Sequence, residues 1–240
     1  MKISVLMPVW NGERFLAQAI ESVLSQTHND FQLVICDDGS TDRTPEIISS
    51  YDDPRIIHTW QNHAGIVPAF NRAYSLATGD AIALLAHDDV IPPNSLEVRA
   101  KRLSSGFKAV YINGWYCDAN LDPIFQVHPR GRDLTWEKDY RLVCRKCPIS
   151  GGFITIMRNI SSKIFPIPES LALEDWWIVF HTLFFARRIA FIPEPLFFYR
   201  IHGANDCTTS ISGPSFDIMR IKDWSRHPLF YDKLIAEIPG

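Results

Sequence analysis

Apolar positions in the first hundred residues switch repeatedly between two periods. Residues 2–9 form a short β-branched run that ends at Pro8-Val9. Asn11-Gly12 then turns the chain, and residues 13–26 carry Phe15, Leu16, Ile20, Val23 and Leu24 at the spacing of one helical face. The cycle repeats. A strand over 31–36 leads to a helix over 44–51, with Ser40 or Thr41 as its cap and Pro45 in its first turn. A strand over 55–59 precedes a helix over 64–77 that stops at Thr78-Gly79. A strand over 81–86 precedes Pro92-Pro93-Asn94 and a helix over 95–103. Strands alternating with helices of this length predict crossovers, and so an α/β domain with a mostly parallel central sheet flanked by helices.

The second half is less regular. Strands are predicted over 109–113, 124–127 and 153–157, and helices over 135–143 and 173–186. Two short strands, 189–192 and 196–199, are split by Pro193 and Pro195. Residues 176–185 are the densest apolar stretch; His181 interrupts it and Arg187-Arg188 follow, so it reads as a buried helix and not as a membrane span. No internal repeat is visible.

Composition narrows the class. Of 240 residues 46% are apolar, enough for a sizeable core, and a formal net charge of -3 gives no basis for bulk nucleic-acid binding. No early stretch has the pattern of a signal peptide. The five scattered cysteines argue against a disulfide framework and fit a reducing, cytoplasmic setting. Cys144-Arg-Lys-Cys147 lacks partners at zinc-finger spacing and reads as two incidental thiols.

The chemistry-bearing residues follow the strands. Asp37-Asp38-Gly39-Ser40 ends one apolar run and Asp88-Asp89 ends another. Adjacent acids at the ends of buried strands are costly unless a cation or ligand donors meet them. The carboxyl ends of strands in an open α/β sheet are also where ligands bind. An Asp-Asp-Gly-Ser turn offers acceptors for a base N–H or a ribose hydroxyl, and Gly39 allows close backbone approach; a helix cap explains the same residues equally well. Ser150-Gly151-Gly152 reads as a turn before the strand over 153–157.

Three blocks, Met7-Pro8-Val9-Trp10-Asn11-Gly12, the run from Ala19 to Thr27, and Val34-Ile35-Cys36-Asp37-Asp38-Gly39-Ser40-Thr41-Asp42, resemble in register the family-two inverting nucleotide-sugar glycosyltransferases. The resemblance continues through Phe70-Asn71-Arg72-Ala73, Asp88-Asp89, Glu174-Asp175 and Tyr199-Arg200-Ile201-His202, and is weakest between about residues 105 and 165. It implies a single A-type glycosyltransferase domain with a Rossmann-like sheet over residues 1–212. Residues 1–92 would bind the donor, 93–212 the acceptor, and 213–240 would form a tail.

The resemblance also implies roles. Pro8, Val9, Asn11 and Asp37 or Asp38 would frame a uracil or related base, and Asn71 and Arg72 would reach the nucleotide. Asp88 and Asp89 would divide a ribose contact and a Mn2+ or Mg2+ ion, with Asp89 the first choice for the metal and His202 a further ligand. Arg200 would meet phosphate oxygens. Asp175 would be the general base, with Glu174 orienting it or binding acceptor. One departure stands out. Members often carry Asp-x-Asp-Asp, whereas here Ala86-His87 precede the acid pair. The implied partners are a nucleotide-sugar donor and a saccharide or lipid-linked saccharide acceptor. Phe216, Ile218, Met219, Ile221 and Trp224, near Arg220, Lys222 and Arg226, read as a stripe that packs on the domain or docks peripherally on the inner face of a membrane. Two rivals are a nucleotidyltransferase, which would normally show a basic Gly-rich loop after strand one, and a non-catalytic nucleotide-sugar-binding module.

Overall fold

A computed structural model describes residues 1–203, apart from 129, 146, 148, 172 and 173. The chain divides into two compact units, Met1–Arg200 and Ile201–Gly240. The predicted tail stripe and Cys207 lie outside the described residues.

The first unit opens with the predicted alternation: β1 Ile3–Val9, α1 Leu16–Leu24, β2 Phe31–Asp37, α2 Thr44–Ser49, β3 Ile56–Trp60, α3 Ile66–Leu76, β4 Ala81–Leu84 and α4 Ser95–Ser104. β1 and β2 are buried at every position, which explains their unbroken apolar runs. β2 pairs with β1 and β3, and β1 with β4, all in parallel. The second half adds β5 Ala109–Cys117, β6 Pro123–Gln126, β7 Leu134–Thr135, α5 Trp136–Arg145, a 3-10 turn Gly151–Phe153, β8 Ile154–Met157, α6 Arg158–Ser161, α7 Glu174–Ala186 and β9 Arg188–Arg200. The strand order is β3-β2-β1-β4-β8-β5-β9-β7, with β6 beside β5. The parallel arrangement thus holds across the first four strands, and β8 then pairs antiparallel with both β4 and β5.

That reversal places the site. Because β8 runs opposite to β4, the turn that begins it lies beside the carboxyl end of β4. β5 and β9, parallel to one another, end on the same rim. β9 is one strand where the prolines predicted two. Its register against β5 shifts around Asn113, whose amide donates to the Pro193 carbonyl at 3.3 Å. A bulge accommodates residues that cannot donate to the ladder. α7 buries Trp176 through Leu183, as its apolar run predicts.

Candidate active site

The ends of β1 and β2 are stapled by side chains. Asn11 sits at φ 49, donates its N–H to Ser40 Oγ at 2.9 Å, and accepts from the Thr41 N–H at 2.9 Å through Oδ1. The Asp38 N–H donates to the Val9 carbonyl at 2.8 Å. Ser40 therefore joins two turns and does not cap α2; Asp42 Oδ1 meets the Thr44 N–H there at 3.0 Å.

The two acids of the first pair have different surroundings. Asp38 is buried and fully engaged. Its carboxylate accepts from Gln61 Nε2 at 2.6 Å, Ala64 N–H at 3.0 Å and Gly65 N–H at 2.8 Å, and His63 Nδ1 lies 2.9 Å away. Asp37 is also buried. Its Oδ1 accepts from the Ser40 N–H at 3.0 Å, but Oδ2 has no hydrogen-bond partner among the described residues. Gly39, at φ +75, lets the 61–65 loop cross closely, since a Cβ there would stand 2.6 Å from the His63 nitrogen. Beside this turn Trp10, 49% exposed, stacks on His63 with centroids 4.4 Å apart. The sequence carries only a faint sign of this pair, an aromatic residue directly after β1; the stacking comes from the fold.

The second acid pair lies at the adjacent strand end. Gly12 brings the β1 turn against this loop: a Cβ there would be 2.7 Å from the His87 ring. Asp89 is buried and accepts the Arg200 N–H at 2.9 Å, whereas Asp88 is half-buried. Burial, then the neighbouring Asp88 charge, raises the Asp89 pKa well above the ordinary carboxylate value; Arg200 offsets this in part, and Asp175 adds to it.

Arg200, expected at the phosphates, is 2% exposed and turns its donors to protein carbonyls. Nε donates to the Asp88 carbonyl at 2.7 Å, Nη1 to the Ala119 carbonyl at 2.5 Å and Nη2 to Gln18 Oε1 at 2.6 Å. Its fork ties the acidic loop to the turn after β5 and to α1. Asn71 is similarly engaged, exchanging both hydrogen bonds with the Ile167 backbone at 2.8 and 2.7 Å. Arg72 is exposed, with Nε on Thr59 Oγ1 at 2.7 Å. His202 belongs to the second unit.

Asp175 occupies the first turn of α7, half-buried. The Gly151 N–H donates to Oδ1 at 2.8 Å and Ser150 Oγ to Oδ2 at 3.2 Å. Loss of hydration raises its pKa, and these two hydrogen bonds oppose the rise. Glu174 shares the first turn. Cys144 and Cys147 are free thiols.

The acids suit a divalent cation. Asp88 and Asp89 offer hard oxygens, and the like charges that raise the Asp89 pKa are what a cation would relieve. Among the described residues no group of three His, Cys, Asp or Glu could hold a metal ion. Mg2+-type ions at phosphate sites need only one or two carboxylates, completed by phosphate and water.

The acids of three segments thus gather on one rim of an open α/β sheet, the edge at which such sheets bind ligands. The model of glycosyl transferase family 2 matches residues 4–165, and the chain belongs to that family. It is 34% identical to an uncharacterized glycosyltransferase of Nostoc sp. over 232 residues, 90% of this chain and 69% of that protein. It is 29% identical to glycosyltransferase GlyG of Streptococcus pneumoniae, covering 92% of this chain and 76% of that one. Among solved structures, S. aureus TarS 1-349 in complex with UDP-GlcNAc matches with a TM-score of 0.71 at 20% identity, over 85% of this chain and 60% of that chain. Mannosyltransferase PcManGT from Pyrobaculum calidifontis, in complex with GDP-Man and Mn2+, matches at 0.64 and 17% identity, over 85% of this chain and 58% of that chain. Those structures share the A-type fold; this chain spans about three fifths of their length.

Proposed function

We propose that the chain transfers a sugar from a nucleotide-diphosphate donor, a UDP-sugar first among them, to a hydroxyl of a glycan or lipid-linked saccharide. The observation that carries this reading is one rim holding both kinds of acid. Asp37 presents a buried carboxylate oxygen without a partner among the described residues, and Asp175 contributes to the raised pKa of Asp89. An unpartnered buried acceptor beside an exposed aromatic stack suits a nucleobase: Asp37 Oδ2 takes its N–H, and Trp10 with His63 provides the flat face. Pro8, Val9 and Asn11 frame that end, and Arg72 is accessible to the nucleotide. The UDP-GlcNAc and GDP-Man complexes of the structural neighbours support a nucleotide-sugar donor, and the Mn2+ in one supports a divalent ion.

Asp88, the more accessible acid, is the direct metal ligand in this reading. Asp89 fixes the loop through the Arg200 N–H and adds charge. A bound Mn2+ or Mg2+ supplies charge neutralisation for the departing diphosphate. Asp175 takes the proton of the acceptor hydroxyl as that oxygen attacks the anomeric carbon. The nucleoside diphosphate leaves from the opposite face, so the configuration inverts. A carboxylate whose pKa is raised by its surroundings is better matched to that proton than an ordinary one. Glu174, in the same turn, orients the base or meets the acceptor.

The test is a donor screen with Mn2+ that reads UDP release. Metal-dependent release with an acceptor, abolished in Asp175→Asn while UDP binding persists, supports the reading. Pyrophosphate release from UTP would make the chain a nucleotidyltransferase. Nucleotide binding without turnover across a broad acceptor panel would make it a binding module.

A further inference from the structure

We propose that Ser150 and Gly151 are positioning residues for Asp175: the turn that begins β8 supplies one hydrogen-bond donor to each oxygen of that carboxylate and fixes its plane. This rests on the reading of Asp175 as the base.

The requirement for glycine at 151 is one of space. A Cβ there would stand 2.3 Å from Asp175 Oδ1 and 3.2 Å from Leu84 Cδ1, far inside contact distance. No side chain fits while the Gly151 N–H donates to Oδ1 at 2.8 Å. The second donor, Ser150 Oγ, is more distant, at 3.2 Å from Oδ2. Oδ1 is thus held by rigid backbone and Oδ2 by a rotatable hydroxyl. That difference leaves Oδ2 as the oxygen free to take a proton, with Ser150 able to turn aside. The terminal torsion of an aspartate is broad, so without these donors the carboxylate would sample many planes.

The turn itself is held by the core. The Phe153 N–H donates to the Ser150 carbonyl at 3.0 Å, and the Phe153 ring packs on Phe197 of β9 with centroids 4.4 Å apart. At Gly152 a Cβ would meet the Phe197 ring at 2.7 Å. The strand that follows pairs antiparallel with β4, whose carboxyl end, beside this turn, leads into Asp88-Asp89. One stretch of sheet therefore sets the spacing between the metal loop and the base.

Steady-state kinetics of the full chain test this, using the UDP-sugar and acceptor found in the screen, with UDP and Mn2+ as the calorimetric binding probe. Gly151→Ala is expected to lower kcat about 100-fold with UDP affinity within twofold, as expected for a displaced catalytic group. Ser150→Ala is expected to lower kcat roughly 10-fold with both KM values within about twofold, the loss of one hydrogen bond to a charged group, and Ser150→Thr to recover most of it. If Gly151→Ala fails to fold, the Ser150 pair decides. Wild-type kcat in Ser150→Ala, equal losses in Ser150→Ala and Ser150→Thr, or a raised acceptor KM at unchanged kcat would each overturn the proposal. The last result would mean that the turn lines the acceptor pocket. Asp175→Asn separates the two readings: if it retains turnover, the base assignment fails, whereas an inactive Asp175→Asn beside unaffected turn variants removes only the positioning role.

Discussion

At the scale of single residues, two neighbouring aspartates at the end of β2 have opposite commitments. The buried Asp38 carboxylate satisfies part-buried donors on Gln61, Ala64 and Gly65, so removing it leaves three N–H groups without their acceptor. Asp38→Ala is expected to lower stability by about 2–4 kcal/mol, seen as a fall in denaturation midpoint. Asp37→Ala is expected to fold with little change and to weaken UDP binding about 10-fold, the cost of one charged hydrogen bond. Calorimetry and melting curves on both variants check the division; a reversed pattern would reassign the base contact to Asp38. His128 offers a pH test. Burial, with Tyr111 and Phe153 packed edge-on against it, lowers its pKa to about 4. The unfolded chain binds that proton more readily, so stability is full above about pH 6.5 and falls as pH drops toward 4, by up to about 3 kcal/mol. His128→Phe is expected to flatten that part of the acid limb, measured as midpoint against pH.

At the scale of elements, two buried arginines make opposite predictions. Arg200 ends β9 and ties the acidic loop, the turn after β5 and α1 together through the Asp88 and Ala119 carbonyls and Gln18. Arg200→Met would strand those acceptors and is expected to cost about 3–5 kcal/mol and to weaken Mn2+-dependent UDP binding. Arg99, on α4, is also buried, but its bonds are to Ser95 Oγ at 3.1 Å and Thr155 Oγ1 at 3.2 Å, and Nη2 has no partner among the described residues. Burial lowers its pKa to about 9. Arg99→Met is expected to leave the melting temperature unchanged or raise it, because a poorly paired buried charge is exchanged for an apolar side chain of similar length. A large fall would show that this guanidinium has a partner of consequence. The elements themselves were legible to different depths. Helix and strand periods placed β1 to α4 within a few residues of their bounds. β7 and α6, at two and four residues, are too short to show a period. The prolines of β9 divided in sequence a strand that tertiary pairing keeps whole.

At the scale of the molecule, one rim of the sheet gathers residues from β1, β2, β4, the turn before β8, the start of α7 and the end of β9. Mn2+ and UDP bound there are expected to stabilise the fold by mass action, by about 2.7 kcal/mol at a hundredfold excess over Kd, and EDTA to remove the metal-dependent share. Differential scanning calorimetry with UDP, Mn2+ and both together measures this; a melting temperature insensitive to Mn2+ in the presence of UDP would count against the metal.

The alternating periods determined the α/β class, because burial on both faces of β1 and β2 demands unbroken apolar runs and amphipathic helices to cover them. Motif register likewise placed Asp37, Asp38, Asp88, Asp89, Glu174 and Asp175 at strand and helix ends, since turn chemistry is local. What each acid does was decided by partners distant in sequence. Asp38 is engaged by a loop some 25 residues on, Asp89 by Arg200, and Asp175 by Ser150 and Gly151. Arg200 reads as a phosphate ligand from its motif, and only the fold shows the three acceptors from other elements that surround its fork. A carboxylate or guanidinium takes its role from the donors and acceptors that meet it, and here those are supplied by tertiary packing.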